Sequence, residues 1–255
     1  MSNEYNPFIF ENPELWTNYD QSGEIKKKLP LIFNHIPADV ASIIDVGCGN
    51  GEITNQFPEK YLVIGVDNSK EALKYIKKGK IHCSADNIPV EDLSYDMAFS
   101  SELLEHLPEK IVIKTISEFR RIAKKYIFIS VPYKEQLEYY QIKCSSCIKK
   151  FHAYGHLNSF TAQSLHKLIG NDFRIVWTAN EGKIVKEYNP LLLKLRHGLA
   201  KVYFAPSEYT VCPYCQNKSF PKHKGNIFSK LINGLNMIIP KKRKKYWLFV
   251  LFERI

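Results

Sequence analysis

What this chain lacks narrows its role first. No apolar run among its 255 residues approaches the ~20 that a membrane-spanning helix needs. The opening Met1-Ser2-Asn3-Glu4-Tyr5 has neither the basic nor the apolar region of a signal peptide, so the cytoplasm is the expected compartment. Internal repeats and low-complexity tracts are missing too, which argues against solenoids and disordered arrays. Acidic residues are in deficit: 36 Lys and Arg stand against 26 Asp and Glu. The resulting net charge of +10 suggests an anionic substrate, a nucleic acid or an acidic membrane surface, and charge alone does not choose among them. What remains is ordinary for a globular chain. Hydrophobic residues make up 45% and charged residues 24%, enough for one α/β core plus an appendage.

The chain is organised around Ser42-Ile43-Ile44-Asp45-Val46 and the turn Gly47-Cys48-Gly49-Asn50-Gly51-Glu52 that follows. The apolar run suits a buried parallel strand, and the turn is expected to open into a helix near 51–58. Gly47, Gly49 and Gly51 let the backbone turn tightly and approach a ligand closer than a Cβ would permit. A second run, Tyr61-Leu62-Val63-Ile64-Gly65-Val66-Asp67, ends in a carboxylate about 20 residues on, where such folds bind ribose hydroxyls. Alternation continues with a helix at 69–77 capped by Ser69 and strands near 80–85 and 96–100. A helix at 109–124, a strand at 126–131, a helix at 161–169 capped by Thr161 and a strand at 173–178 complete it. Then it stops. Residues 180–244 hold amphipathic segments at 190–202 and 227–239 before the apolar, β-rich 246–252.

Asp45-Val46-Gly47-Cys48-Gly49-Asn50-Gly51 resembles the first motif of class I S-adenosylmethionine-dependent methyltransferases. Its third glycine comes one residue earlier than in nicotinamide-binding turns. Asp67 ending strand two, Asp86-Asn87 after strand three and Ser100-Ser101-Glu102 after strand four follow the same order, over roughly residues 40–180 and again at the last strand. The resemblance implies an α/β, Rossmann-like, seven-stranded doubly wound sheet whose last strand is antiparallel. It divides the chain into an N-terminal lid or cover helix (1–41), a cofactor-binding domain (42–179 with 245–255), and inserted acceptor-side and zinc-binding regions (133–157 and 180–244). S-adenosylmethionine would sit on Asp45, Gly47, Cys48, Gly49 and Gly51. Asp67 with Asn68 would take the ribose. Asp86, with Asn87 beside it, would take the adenine amino group, and Ser100 and Ser101 would close the site. A nucleotide-binding domain without methyl transfer is the plain alternative.

On the acceptor side, Ser101-Glu102-Leu103-Leu104-Glu105-His106-Leu107-Pro108 would bring Glu102, Glu105 and His106 together if it forms a helical turn. Two carboxylates and an imidazole suit a divalent cation, with His156 in Gly155-His156-Leu157-Asn158-Ser159-Phe160-Thr161 as a fourth ligand. This pattern resembles the small-RNA 2′-O-methyltransferases and the ubiquinone-biosynthesis O-methyltransferases. In the RNA enzymes it implies a metal on neighbouring acceptor hydroxyls. His106 or His156 as a metal-free base, or a purely positioning set, are the other readings. His152, in Phe151-His152-Ala153-Tyr154, is expected to be solvated.

Four of six cysteines form two C-x-x-C pairs, Cys144/Cys147 and Cys212/Cys215, which in a reducing compartment read as a structural zinc site. Cys48 and Cys83 are expected to be buried thiols. The run Lys241-Lys242-Arg243-Lys244-Lys245 follows an apolar segment containing Ile227, Phe228, Leu231, Ile232, Leu235 and Ile238. Together they fit a packed helix with a solvated exit, or else a membrane-surface anchor. The expected function is O-methylation of a small hydroxylated acceptor or glycan precursor. RNA 2′-O-methylation with a catalytic divalent metal, and a non-catalytic adenosylmethionine-binding scaffold, are the alternatives. Protein partners are not indicated.

Overall fold

The computed structural model describes residues 10, 13, 16, 23–207, 210–220 and 225–255. Tyr5, Phe8 and Tyr19 of the expected lid lie outside them. A seven-stranded sheet forms the centre: β1 (Ser42–Val46), β2 (Leu62–Asp67), β3 (Gly79–His82), β4 (Tyr95–Ser101), β5 (Ala123–Pro132), β8 (Phe173–Lys186) and β9 (Arg243–Arg254). They run in the order β3-β2-β1-β4-β5-β9-β8. The first five are parallel, and β9 lies antiparallel between β5 and β8. A separate hairpin, β6 (Gln141–Lys143) with β7 (Lys150–His152), stands outside the sheet.

Both faces are covered. On one, α3 (Glu109–Ile122) buries Val112, Ile116, Phe119 and Ile122, one helical stripe, against Ile127 and Ile129 of β5. Leu165 and Ile169 of α4 (Ala162–Ile169) join that layer, and Thr161 closes a capping box with Ser164. On the other face, α1 (Glu24–Phe33) inserts Ile32 among Ile43, Phe57, Phe99 and Phe249. Chain order reverses between β1 and β4. The crevice beyond their C-terminal ends is therefore the expected ligand edge, and Gly47 and Glu102 each follow one of these strands.

Three elements differ from expectation. The glycine turn opens only into a 3₁₀ turn, Thr54–Gln56, because Phe57 precedes Pro58 and is held extended at ψ 129°. The next helix, α2 (Lys70–Leu73), keeps its Ser69 cap, whose hydroxyl accepts from the Ala72 amide, but is one turn long. β8 and β9 run longer than the apolar pattern suggested. Lys186 pairs with Arg243 and Ile184 with Lys245, so three of the five residues of the basic run lie within the sheet. Lys244 and Lys245 are held there by Glu187 and Glu181.

The late helices also depart from the packed reading. α5 (Pro190–Gly198) buries Leu192 and Leu193, whereas α6 (Ile227–Ile238) buries Ser229, Ile232 and Asn236. Most apolar side chains of α6 are exposed, because Ser229 and Asn236 take inward positions, where they hydrogen-bond backbone groups.

Candidate active site

The crevice at the strand reversal is a cavity of about 300 Å³. Its floor is the turn after β1. Gly47 and Gly49 sit at φ +76° and +53°, and a Cβ on Gly47 would lie 2.8 Å from Leu103. Asp67 braces the turn: its carboxylate accepts the amides of Gly49 and Ser69, each at 2.8 Å. Asp45, on the opposite wall, is fully buried and accepts the Thr54 hydroxyl at 2.6 Å. Burial pushes its carboxyl up to about 7, against the lowering effect of Thr54. Phe10 and Trp16 close the mouth. Trp16 donates to the Phe10 carbonyl, which also accepts the Ser69 hydroxyl, while the Trp16 carbonyl accepts from the Asn50 amide. An apolar, aromatic-lined slot with two carboxylates at a glycine turn fits a ligand that carries a ribose diol and a cationic amine and sulfonium.

Asp45 supplies a stability test. Its folded value lies above the unfolded carboxylate range near 4, so its contribution is fully present below pH 4 and is lost as pH rises towards about 7. Asp45→Asn is expected to gain at most about 4 kcal/mol relative to the parent chain between pH 4 and 8, read from cofactor-free urea unfolding.

At the far rim, Glu102 leaves β4 with φ +58°. Its Oε1 lies 2.8 Å from Nζ of Lys28, which is 1% exposed. The same ammonium reaches the hydroxyls of Ser101 and Ser130 and lies 4.6 Å over the Trp247 ring. Leu104–His106 forms a 3₁₀ turn that carries His106 to the cavity and points Glu105 away from it. Glu105 is fully buried and neither carboxylate oxygen has a hydrogen-bond partner among the described residues. Burial, reinforced by the Glu102 charge, holds its carboxyl well above the usual range. Glu105, His106 and His156 offer ligand atoms all within 4.8 Å of one another.

The tautomers follow from the neighbours. Glu135 accepts a hydrogen bond from Nδ1–H of His156, which leaves the Nε2 lone pair for a cation. His106 has a backbone hydrogen bond at Gly155, while its Nδ1 is buried and unpartnered. Burial, then the approach of His156, holds its imidazole well below the ordinary value. His152 is buried rather than solvated, stacked on His156 at 4.7 Å, and burial drives it down to about 2. Its Nδ1 accepts the amides of Tyr154 and His156, so its proton sits on Nε2 and it is a poor ligand. An O,N,N set with an orphaned buried carboxylate fits a borderline divalent cation.

The two cysteine pairs meet. Sγ of Cys144 lies 3.6 Å from that of Cys215, and Cys147 3.6 Å from Cys212. A disulfide would need about 2 Å, whereas four thiolates at ~2.3 Å from one tetrahedral ion stand about 3.8 Å apart. Both knuckles share one fold. The amides of Cys144 and Cys212 donate to the carbonyls of Lys149 and Asn217, and the left-handed residues Ile148 and Gln216 donate back. Burial raises the Cys144 thiol, but the Cys147 and Ser146 amides and the neighbouring sulfurs bring it down to about 6. Burial lifts Cys212 to about 12. The cluster is consistent with a zinc knuckle that ties the β6–β7 hairpin to the 210–220 loop.

Residues 43–126 match the family described as methyltransferase domain. Over that stretch the chain carries a methyltransferase domain. No curated protein matches it. Among solved structures, a SAM-dependent methyltransferase from Archaeoglobus fulgidus aligns with a TM-score of 0.55 and 16% identity, over 97% of this chain and 99% of that one. A possible histamine N-methyltransferase from Thermotoga maritima gives 0.54 and 14%, over 98% and 100%. A Pyrococcus horikoshii OT3 protein gives 0.58 and 11%, over 99% and 100%. At these identities what is shared is the fold.

The crevice cavity is lined by Asp45, Gly47, Cys48, Gly49, Asp67 and Asn68, with Ser101 at the rim. Gly51 lies behind the turn, its amide on the Cys48 carbonyl, and Ser100 is buried beneath it on the Val46 carbonyl. Asp86 and Asn87 are beside the cavity, not in its wall. Asp86 accepts from Ser84 and faces Lys114, while Ser84 and Ala85 do the lining. Cys48 and Cys83 are half-buried cavity residues, not core thiols, because the strand ends they follow open onto the crevice. Lys28 and Glu135 carry no local sequence signal. Lys28 is one of three consecutive lysines and Glu135 an isolated acid after Pro132. Asn158, whose amide bonds the Leu104 and Leu107 carbonyls, clamps the His156 loop to the Glu105 turn. Asp67→Ala is expected to weaken adenosylmethionine binding about a hundredfold by calorimetry, since two charge-assisted hydrogen bonds and the turn's brace go together.

Proposed function

We propose that this methyltransferase alkylates a hydroxyl of a small polyhydroxylated acceptor, and that Glu105, His106 and His156 hold a divalent cation beside it. One observation carries this reading: a fully buried carboxylate without a partner faces two imidazoles whose lone pairs are left open. Adenosylmethionine, when bound, supplies an electrophilic methyl group for in-line displacement. The chain's part is positioning. Asp67 and the glycine turn fix the donor, and Phe10 and Trp16 exclude water. Glu102, oriented by Lys28, accepts a hydrogen bond from the acceptor hydroxyl at the rim. A cation on Glu105, His106 and His156 would lower that hydroxyl's pKa and orient it, with Glu135 holding His156.

The positive charge that would favour an RNA acceptor is concentrated in 190–245, beside exposed leucines and isoleucines, and gives the RNA reading little support. The cavity and the acceptor-side acids favour an enzyme over a scaffold. The test is transfer of labelled methyl groups into heat-inactivated, fractionated cell extract. Label in a small molecule as a base-stable methyl ether is expected. Label in the RNA or protein fraction, or a base-labile ester, would overturn the reading.

A further inference from the structure

α6 is built inside out. Its buried face is Ser229, Ile232 and Asn236, and the polar groups on it serve the chain's own backbone. Asn236 accepts the Asn189 amide, Asn233 accepts the Tyr188 hydroxyl, and Asn226 caps the helix through the Ser229 amide. Its outer face carries Phe228, Leu231, Leu235 and Ile238, with Leu231 61% and Ile238 82% exposed. The adjoining α5 adds Leu191, Leu195 and Leu199, spaced by four residues along one exposed stripe. Ten of the nineteen exposed large hydrophobic side chains among the described residues lie on these two helices and their exits. Solvent does not favour such a face, and a contiguous patch of this kind marks a partner.

Charge says which partner. Residues 190–245 contain twelve of the 36 lysines and arginines and only one of the 26 acids, so the whole basic excess of the chain resides here. Lys194 and Lys230 stand exposed within the two helices, and Lys242 and Arg243 are exposed just after α6. No carboxylate among the described residues pairs with Lys241, Lys242 or Arg243. α6 has twelve residues, and no helix among the described residues is long and apolar enough to cross a membrane. Apolar side chains at bilayer depth with cations level with the headgroups match a monotopic interfacial helix.

We propose that the outer face of α5 and α6, with Lys241, Lys242 and Arg243, docks on the surface of an anionic lipid bilayer. The face adjoins the acceptor side. Tyr188, tied to α6 through Asn233, packs on Tyr139, and Tyr139 lines a small second cavity together with Glu135 and Lys244.

The experiment is co-sedimentation of the full chain with sucrose-loaded vesicles, either pure phosphatidylcholine or with about one lipid in three replaced by phosphatidylglycerol. The chain is expected to pellet with the anionic vesicles and to be released by high salt. The triple variant Phe228→Ser, Leu231→Ser, Leu235→Ser changes only exposed side chains and is expected to lose at least about tenfold in partition. Lys241→Ala, Lys242→Ala, Arg243→Ala is expected to lose about a hundredfold on anionic vesicles alone. Leu62→Ser, an exposed apolar change on β2, is expected to leave partition unchanged. Parent protein that stays in the supernatant, or either triple variant that pellets like the parent, overturns the proposal. So does a dimer in sedimentation velocity that the serine variant converts to monomer without any vesicle binding, which would give the face to a second copy of the chain. None of these readouts depends on methyl transfer, so the docking surface and the proposed acceptor chemistry fail separately.

Discussion

His156→Ala is expected to reduce methyl transfer about a thousandfold while leaving adenosylmethionine binding within about twofold of the parent. His156 stands outside the wall of the crevice proposed to hold the cofactor, so binding is expected to be spared. Its loss removes a ligand atom from the Glu105–His106–His156 set and uncovers the Glu135 carboxylate in a buried pocket. His106→Ala should behave alike in turnover. Its ring also packs edge-on to Phe10 at 5.2 Å, however, so a several-fold loss in cofactor affinity accompanies it. Glu135→Gln separates orientation from ligation: metal affinity is expected to fall 10- to 100-fold, with turnover restored by added metal. Single-turnover rates with labelled cofactor, beside calorimetry with the demethylated product, measure both halves. Near-parent rates in His156→Ala would remove the cluster from the reaction.

Loss of the four-thiol site is the second large effect. Protein purified without chelator is expected to carry about one equivalent of zinc, and Cys212→Ser less than half. The hairpin it anchors has little else to hold it. The local core is Ile142, Phe151 and Ala153 around the cysteines themselves, fringed by half-buried Tyr140, Phe204 and Phe220. Removing the metal leaves four close thiols, two of them buried. Local opening of the 141–152 hairpin and the 210–220 loop is expected to become easier by at least about 3 kcal/mol, seen as limited proteolysis in those two segments while the sheet stays protected. Activity should fall with it, since β7 ends at His152 and the loop beyond carries His156. Stoichiometric zinc in Cys212→Ser, or full protease resistance after chelation, would count against the site.

How much of this was legible beforehand depends on the range of the interaction. Asp45-Val46-Gly47-Cys48-Gly49 could be read because a strand, a tight turn and the glycines it requires are neighbours in the chain. Ser69 and Thr161 could be read as caps because a cap acts within three residues. The helix expected at 51–58 shrinks to one 3₁₀ turn because one proline outweighs the pattern before it. His152 is expected to be solvated beside Tyr154, yet it is buried because Glu135 and Tyr140 pack on it from an earlier segment and the loop folds His156 back over its ring.

By itself, then, the order of residues determined the sheet's alternation, the glycine turn after β1 and the pairing of cysteines into knuckles, all governed by periods of two to five residues. Only the folded chain decided that Lys28 reaches Glu102 across 74 positions, that two knuckles 65 residues apart close on one point, and that α6 turns its apolar side outward. Those outcomes rest on burial and on hydrogen bonds between distant segments. An amphipathic pattern has the same moment whether its apolar face looks inward or out, and what lies on the other side settles the direction.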